Sequence, residues 1–182
     1  TGSVVTGCNT QVRKDPMEQL HAALKHTDPD KIGRLPVASQ AEQEALARFS
    51  DFASQMSVQR TPGMVKQVYA TDVYFNDTLK EVRGTDDLEA YFEHSLGGAE
   101  DVTVEILDVA QSGGDYYVRW EMSIRFRQLA DGRLTRSTGV SHLRFDPQGL
   151  ITFHQDYWDA TNGFFQYVPV VGRLIGWVKG RL

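Results

Sequence analysis

Cysteine is almost absent: the 182 residues contain one, Cys8. That excludes an internal disulfide framework and any metal site built from several thiolates. Basic charge is also scarce. With 19 Lys and Arg against 24 Asp and Glu, and no Lys/Arg stripe with interleaved aromatics, the chain lacks the footprint that phosphate backbones select, so nucleic acid is not an expected partner. No apolar run approaches the roughly 18–20 residues of a membrane span. The histidines His21, His26, His94, His142 and His154 show no H-x-H or H-x-x-x-H spacing, so no metal is expected. Gly97-Gly98 and Gly113-Gly114 read as turn punctuation. No phosphate-cradling glycine pattern follows a strand, and no cofactor is expected.

What is present suits one domain: 41% hydrophobic residues are enough to bury a core, and the length does not ask for a second one. Residues 1–38 read as a flexible N-terminal extension, polar and punctuated by Pro16, Pro29 and Pro36. Within it Val5-Thr6-Gly7-Cys8 resembles a bacterial lipobox. A lipidated Cys8 would place the protein at the cell envelope, whereas a plain polar N-terminus fits a cytoplasmic one.

The domain, 39–182, begins where periodicity begins. Ser39-Gln40-Ala41-Glu42 fits a capping box, and Ala45, Leu46, Phe49, Phe52, Ala53 and Met56 then recur at helical spacing. Thr61-Pro62 opens a short second helix. A strand is expected over 73–77. Thr85-Asp86-Asp87 reads as the cap of a third helix carrying Leu88, Tyr91, Phe92 and Leu96. From Asp101 the period changes to two, with strands expected over 102–110, 116–129, 133–145 and 150–159, separated by tight-turn residues. Such segregation predicts an α+β fold in which an antiparallel meander is covered by helices on one face.

The order of elements, the phrase Tyr69-Ala-Thr-Asp-Val-Tyr-Phe-Asn-Asp77 before Arg83-Gly84, and the last strand resemble the nuclear transport factor 2-like (NTF2-like) superfamily, in particular its SnoaL-like branch. The resemblance implies a cone-shaped α+β barrel, a curved antiparallel sheet wrapped around helices with one internal pocket for a small hydrophobic molecule, usually in a homodimer. It does not fix the function, because one cone houses isomerases, hydrolases, cyclases and non-catalytic binding modules. His154 to Ala160, with Tyr167-Val-Pro-Val-Val-Gly172 and Ser141 to Asp146, is similar to a bacterial subgroup of this superfamily, a likeness that names no reaction.

Alternation sorts the candidate site. His154, Asp156 and Trp158 share one face of the last strand, where a carboxylate beside imidazole is a general-base arrangement, or alternatively part of a satisfied polar network. Asp159, on the other face, reads as a helix cap. The strand after Asp115 splits into an apolar row (Tyr116, Val118, Trp120) and a charged row (Arg119, Glu121), and either row can face inward. Asp156-Tyr-Trp-Asp159 and Arg119-x-Glu121 are similar to phrases of limonene-epoxide-hydrolase-type members. That likeness implies Asp156 as base, Glu121 as acid, and Arg119 and His154 in support. Phe75, Asp77, Tyr91 and Trp158 are the expected ligand contacts. Phe75 and Asp77 fall where such enzymes use tyrosine and asparagine to position water, and a ring without a hydroxyl cannot do so, which argues against literal epoxide hydrolysis. The tail from Phe164, with Gly172, Gly176 and Gly180 four apart and Trp177 near Arg173, Lys179 and Arg181, either closes the cone, clasps a partner subunit, or makes peripheral contact with a membrane.

Overall fold

The structure, a computed structural model, describes residues 15–57 and 60–182. The expected lipobox at Val5–Cys8 lies outside the described residues. Six strands form one curved, unclosed sheet in the order β2-β1-β6-β5-β4-β3. They are β1 (Tyr69–Asn76), β2 (Glu81–Arg83), β3 (Ala99–Ser112), β4 (Asp115–Phe126), β5 (Leu134–Phe145) and β6 (Ile151–Trp158). Strands β3 to β6 are the antiparallel meander that the turn residues predict. The sheet as a whole is mixed, because β6 also pairs in parallel with β1, placing Phe75 opposite His154.

Helices α3 (Gln40–Ser54), α4 (Thr61–Val68) and α5 (Thr85–Gly97) fill the concave side. The α3 start follows the capping-box logic. Ser39 Oγ accepts from Glu42 N at 3.1 Å, and the Glu42 carboxylate reaches back to Ala38 N at 2.6 Å. Its other oxygen accepts the Tyr116 hydroxyl at 2.7 Å, so the cap also bolts α3 to β4. Phe49, Phe52, Val65, Leu88 and Phe92 bury the helical faces against Tyr69, Phe75 and Val118. At about 25 cal/mol per Å² of apolar surface removed from water, this burial is the main force holding helices to sheet. The α5 cap differs from expectation. Gly84, at φ +78°, holds the N-cap position, and Thr85 is the buried first residue of the helix. A side chain at Gly84 would approach the Thr71 carbonyl at 3.2 Å, so the turn into the helix selects glycine.

Residues 15–38 correct the reading of a flexible extension. They fold into α1 (Pro16–His26) and α2 (Pro29–Ile32), and α1 lies on the convex side of the sheet. There Ala23, flanked by Leu20 and Leu24, packs on Tyr74 and Phe153. The prolines that suggested a tether include Pro29 at the first position of a helix capped by Asp28, where a missing N–H costs nothing. With α1 on one side and α3 to α5 on the other, β6 is covered on both faces, which explains why Ile151 to Gln155 are all buried.

Candidate functional site

The apolar row of β4 faces the helices: Tyr116, Val118 and Trp120 are buried, and Arg119 and Glu121 are exposed on the convex face. Between this row, β1, β6 and helices α3 and α5 is a cavity of about 670 Å³. Its walls are apolar, formed by residues such as Phe52, Phe92, Val104, Trp120 and Met122. The buried Tyr69, Phe75 and His154 form its floor, and the exposed His94, Arg127 and Gln128 stand at its rim.

Polar groups converge on that floor. Asp156 Oδ1 accepts from Ser141 Oγ at 2.5 Å and pairs with His154 Nε2 at 2.9 Å. Ser141 Oγ in turn accepts from the Trp120 indole N–H at 3.0 Å, and His154 Nδ1 lies 3.0 Å from the Tyr69 hydroxyl. Burial pushes the Tyr69 phenol well above its usual range, so it stays protonated. Tyr69 can then donate to Nδ1, and the tautomer that accepts this bond donates from Nε2 to Asp156. The rings of Phe49 and Phe75 stand edge-on to the imidazole, at 5.8 and 4.9 Å between centroids. The second oxygen, Asp156 Oδ2, makes no hydrogen bond among the described residues.

A second acid lines the same cavity. Asp77 Oδ1 caps the turn between β1 and β2, accepting from Leu79 N at 3.0 Å and Lys80 N at 2.9 Å, while Oδ2 accepts the Tyr91 hydroxyl. Burial raises the Asp77 carboxyl above its usual range, against the lowering effect of the Tyr91 bond, and nearby Asp156 raises it further. Burial beside Asp77 also pushes the Tyr91 phenol up, keeping it a donor. Trp158 donates its indole N–H to the Asp77 carbonyl at 2.7 Å, closing the wall between β6 and the turn. Asp159 caps the short helix α6 (Ala160–Gly163), accepting from Asn162 N at 3.0 Å.

Of the sequence-derived candidates, the structure therefore brings His154, Asp156, Trp158, Phe75, Asp77 and Tyr91 to one cavity. It does not bring Arg119 and Glu121 there. Arg119 Nε bonds Asp108 Oδ2 at 3.0 Å on the convex face, and Glu121 is exposed beside it. The alternation that turns Trp120 inward turns both of them out. Tyr69 and Ser141 are site residues that the sequence reading passed over. Each looks like an ordinary strand residue until pairing sets Ser141 opposite Asp156 and Phe75 opposite His154.

A curved sheet covered by helices over this cavity defines the class as an α+β fold, and sequence agrees with it. Residues 48–154 match the SnoaL-like domain, and the chain belongs to that family. Among solved structures, the chain is similar to a protein of ketosteroid isomerase-like fold from Catenulispora acidiphila DSM 44928 in complex with trimethylamine. That likeness has 14% identity and a TM-score of 0.59, over 71% of this chain and 95% of that one. An LEH-like epoxide hydrolase of M. tuberculosis matches at 15% identity and a TM-score of 0.56, over 78% and 98%. An NTF2-like protein from Exiguobacterium sp. 255-15 matches at 17% and 0.53, over 63% and 98%. Likenesses at these identities establish the fold. A search of curated proteins found no match.

Proposed function

We propose that the chain binds a small apolar molecule carrying a carbonyl or epoxide oxygen and moves a proton on it without a cofactor, with Asp156 as the base. The observation that carries this reading is the asymmetry of the Asp156 carboxylate. One oxygen is held by Ser141 and His154, and the other is left for a ligand in an otherwise apolar cavity. Two donors on Oδ1 fix the plane of the carboxylate, so Oδ2 meets a bound C–H or water in one orientation, and a preset geometry is what general-base catalysis needs. Asp77 is the complementary group: burial raises its carboxyl above the usual range, which makes it the readier of the two acids to pass a proton to an oxygen developing negative charge, with Tyr91 beside it as a hydroxyl donor. That a LEH-like epoxide hydrolase and a ketosteroid isomerase-like protein share the fold is consistent with proton transfer in such a cone.

Asp156→Asn tests the proposal, because asparagine keeps the shape of the site and removes the base. Against a panel of hydrophobic enones, β-keto esters and epoxides, turnover is expected to fall by about 10²–10⁴. Ligand affinity, read from quenching of Trp120 and Trp158, should stay within a few-fold of wild type. Unchanged turnover in Asp156→Asn would remove Asp156 as the base, whereas tight binding of the panel with no turnover by the wild type would make the chain a non-catalytic binding module.

A further inference from the structure

Helix α7 (Val171–Lys179) is turned the wrong way for a helix that completes a core. Residues Val171, Leu174 and Val178, three and four apart, make one apolar face, with Trp177 on its edge. That face is exposed: Leu174 by 60%, Trp177 by 56%, Val178 by 44% and Val171 by 39%. The opposite side faces the protein. A side chain at Gly172 would fall 2.1 Å from the Gln166 carbonyl oxygen, so glycine lets the helix lie on the 165–167 turn, and Lys179 Nζ donates to Asn162 Oδ1 at 2.7 Å. The protein body thus takes Gly172 and the half-buried Ile175, and leaves Val171, Leu174, Trp177 and Val178 outward.

Charge narrows what can cover that face. From Ala160 to Leu182 the chain has Arg173, Lys179 and Arg181 and no acidic residue, although the whole chain carries −5. Arg181 lies over the Trp177 ring at 3.8 Å, placing a guanidinium at the border of the apolar face. A second copy pairing α7 against α7 would bring the same cations against each other. We infer that α7 is an interfacial helix that seats on an anionic lipid bilayer, its apolar side chains entering the headgroup boundary and Arg173 and Arg181 meeting lipid phosphates. No helix among the described residues is long and apolar enough to cross a membrane, so the contact is peripheral. The position matters for the cavity. Phe164, which lines it and packs on Phe126, leads into the turn on which α7 rests. A bilayer on this face lies beside the rim, within reach of an apolar ligand dissolved in lipid.

The test is co-sedimentation with phosphatidylcholine vesicles with and without phosphatidylglycerol. Wild type is expected to bind only the phosphatidylglycerol vesicles, and more weakly as salt rises. Leu174→Glu/Trp177→Glu should lower that binding about tenfold or more, and Arg173→Gln/Arg181→Gln should lower it on the anionic vesicles. All four positions are exposed, so unchanged circular dichroism is expected to confirm folding. Asp156→Asn should bind vesicles as wild type does, which separates this inference from the chemistry proposed above. Wild type that ignores anionic vesicles, or a Leu174→Glu/Trp177→Glu variant that binds equally well, overturns it. So does a wild-type dimer by light scattering that this variant dissociates, which would assign the face to a second copy.

Discussion

Two tryptophans frame the floor of the cavity, and Gly139 is what lets them meet. It lies buried in β5, and a methyl group there would fall 2.5 Å from the Trp120 ring and 2.7 Å from Trp158 Cβ. Neither indole is free to step aside, since each N–H is committed, to Ser141 and to the Asp77 carbonyl. Gly139→Ala should therefore cost about 1–3 kcal/mol by overpacking. At this chain length that lowers the melting temperature by about 2–4 °C per kcal/mol, readable by calorimetry, and an unchanged melting point would count against the account. Asp77 gives a second prediction. Its folded carboxyl titrates above the unfolded one, so the native state prefers the proton, and that preference is lost as pH rises through the folded value. Asp77→Asn keeps an acceptor for Leu79 and Lys80 and a polar partner for Tyr91 while removing the charge. It should melt higher than wild type near pH 7, with the gain vanishing below about pH 4. A lower melting point at neutral pH would refute this.

At the scale of elements, α1 is held to the convex face by a small, partly buried network. Arg144 donates from Nε to Asp115 Oδ1 at 2.5 Å and from Nη1 to the Leu24 carbonyl at 2.7 Å, and His142 Nε2 lies 2.7 Å from the same Asp115 oxygen. Burial pushes Asp115 up, but the bonds from Arg144 and His142 outweigh it and hold the carboxyl below its usual value. His142 is pushed below its usual value chiefly by burial, against the pull of Asp115. The two directions agree once Arg144 is taken as the counter-charge and neutral His142 as an N–H donor. Both depressed groups contribute stability at neutral pH and lose it as pH falls, His142 first, below about 6.5, and Asp115 only below about 4. Acidification from pH 7 to 5 should thus loosen α1, seen as lower amide protection, relative to the intrinsic exchange rate at each pH, over 17–26. Arg144→Ala should do the same at pH 7, with a loss of about 3–5 kcal/mol for a broken buried pair. Full exchange protection in that variant would show that the Leu20-Ala23-Leu24 face suffices alone. This element was the least legible in the sequence. Leu20, Ala23 and Leu24, set in a polar, proline-marked stretch, look like part of a tether until Tyr74 and Phe153 appear beneath them.

For the molecule as a whole, the α+β class, the meander and the row His154-Asp156-Trp158 could be read from periodicity, because residues two apart in a strand share a face and a one-residue slip would turn Tyr157 and Asp159 inward in place of Asp156 and Trp158. Which row of β4 faced the helices could not be read. Alternation separates Trp120 from Arg119 and Glu121 but does not say which set has a lid, and only the Tyr116 bond to Glu42 and the Trp120 bond to Ser141 decide it. The parallel pairing of β1 with β6 was equally hidden, since it joins segments some eighty residues apart and no local pattern records it. That pairing has a consequence during synthesis. A chain emerging from the ribosome has the β1 edge long before it has β6, the strand that fits between β1 and β5. Until Trp158 is out, the nascent protein has two open seams and a hollow without a bottom, so both its solubility and the floor of its cavity wait on β6.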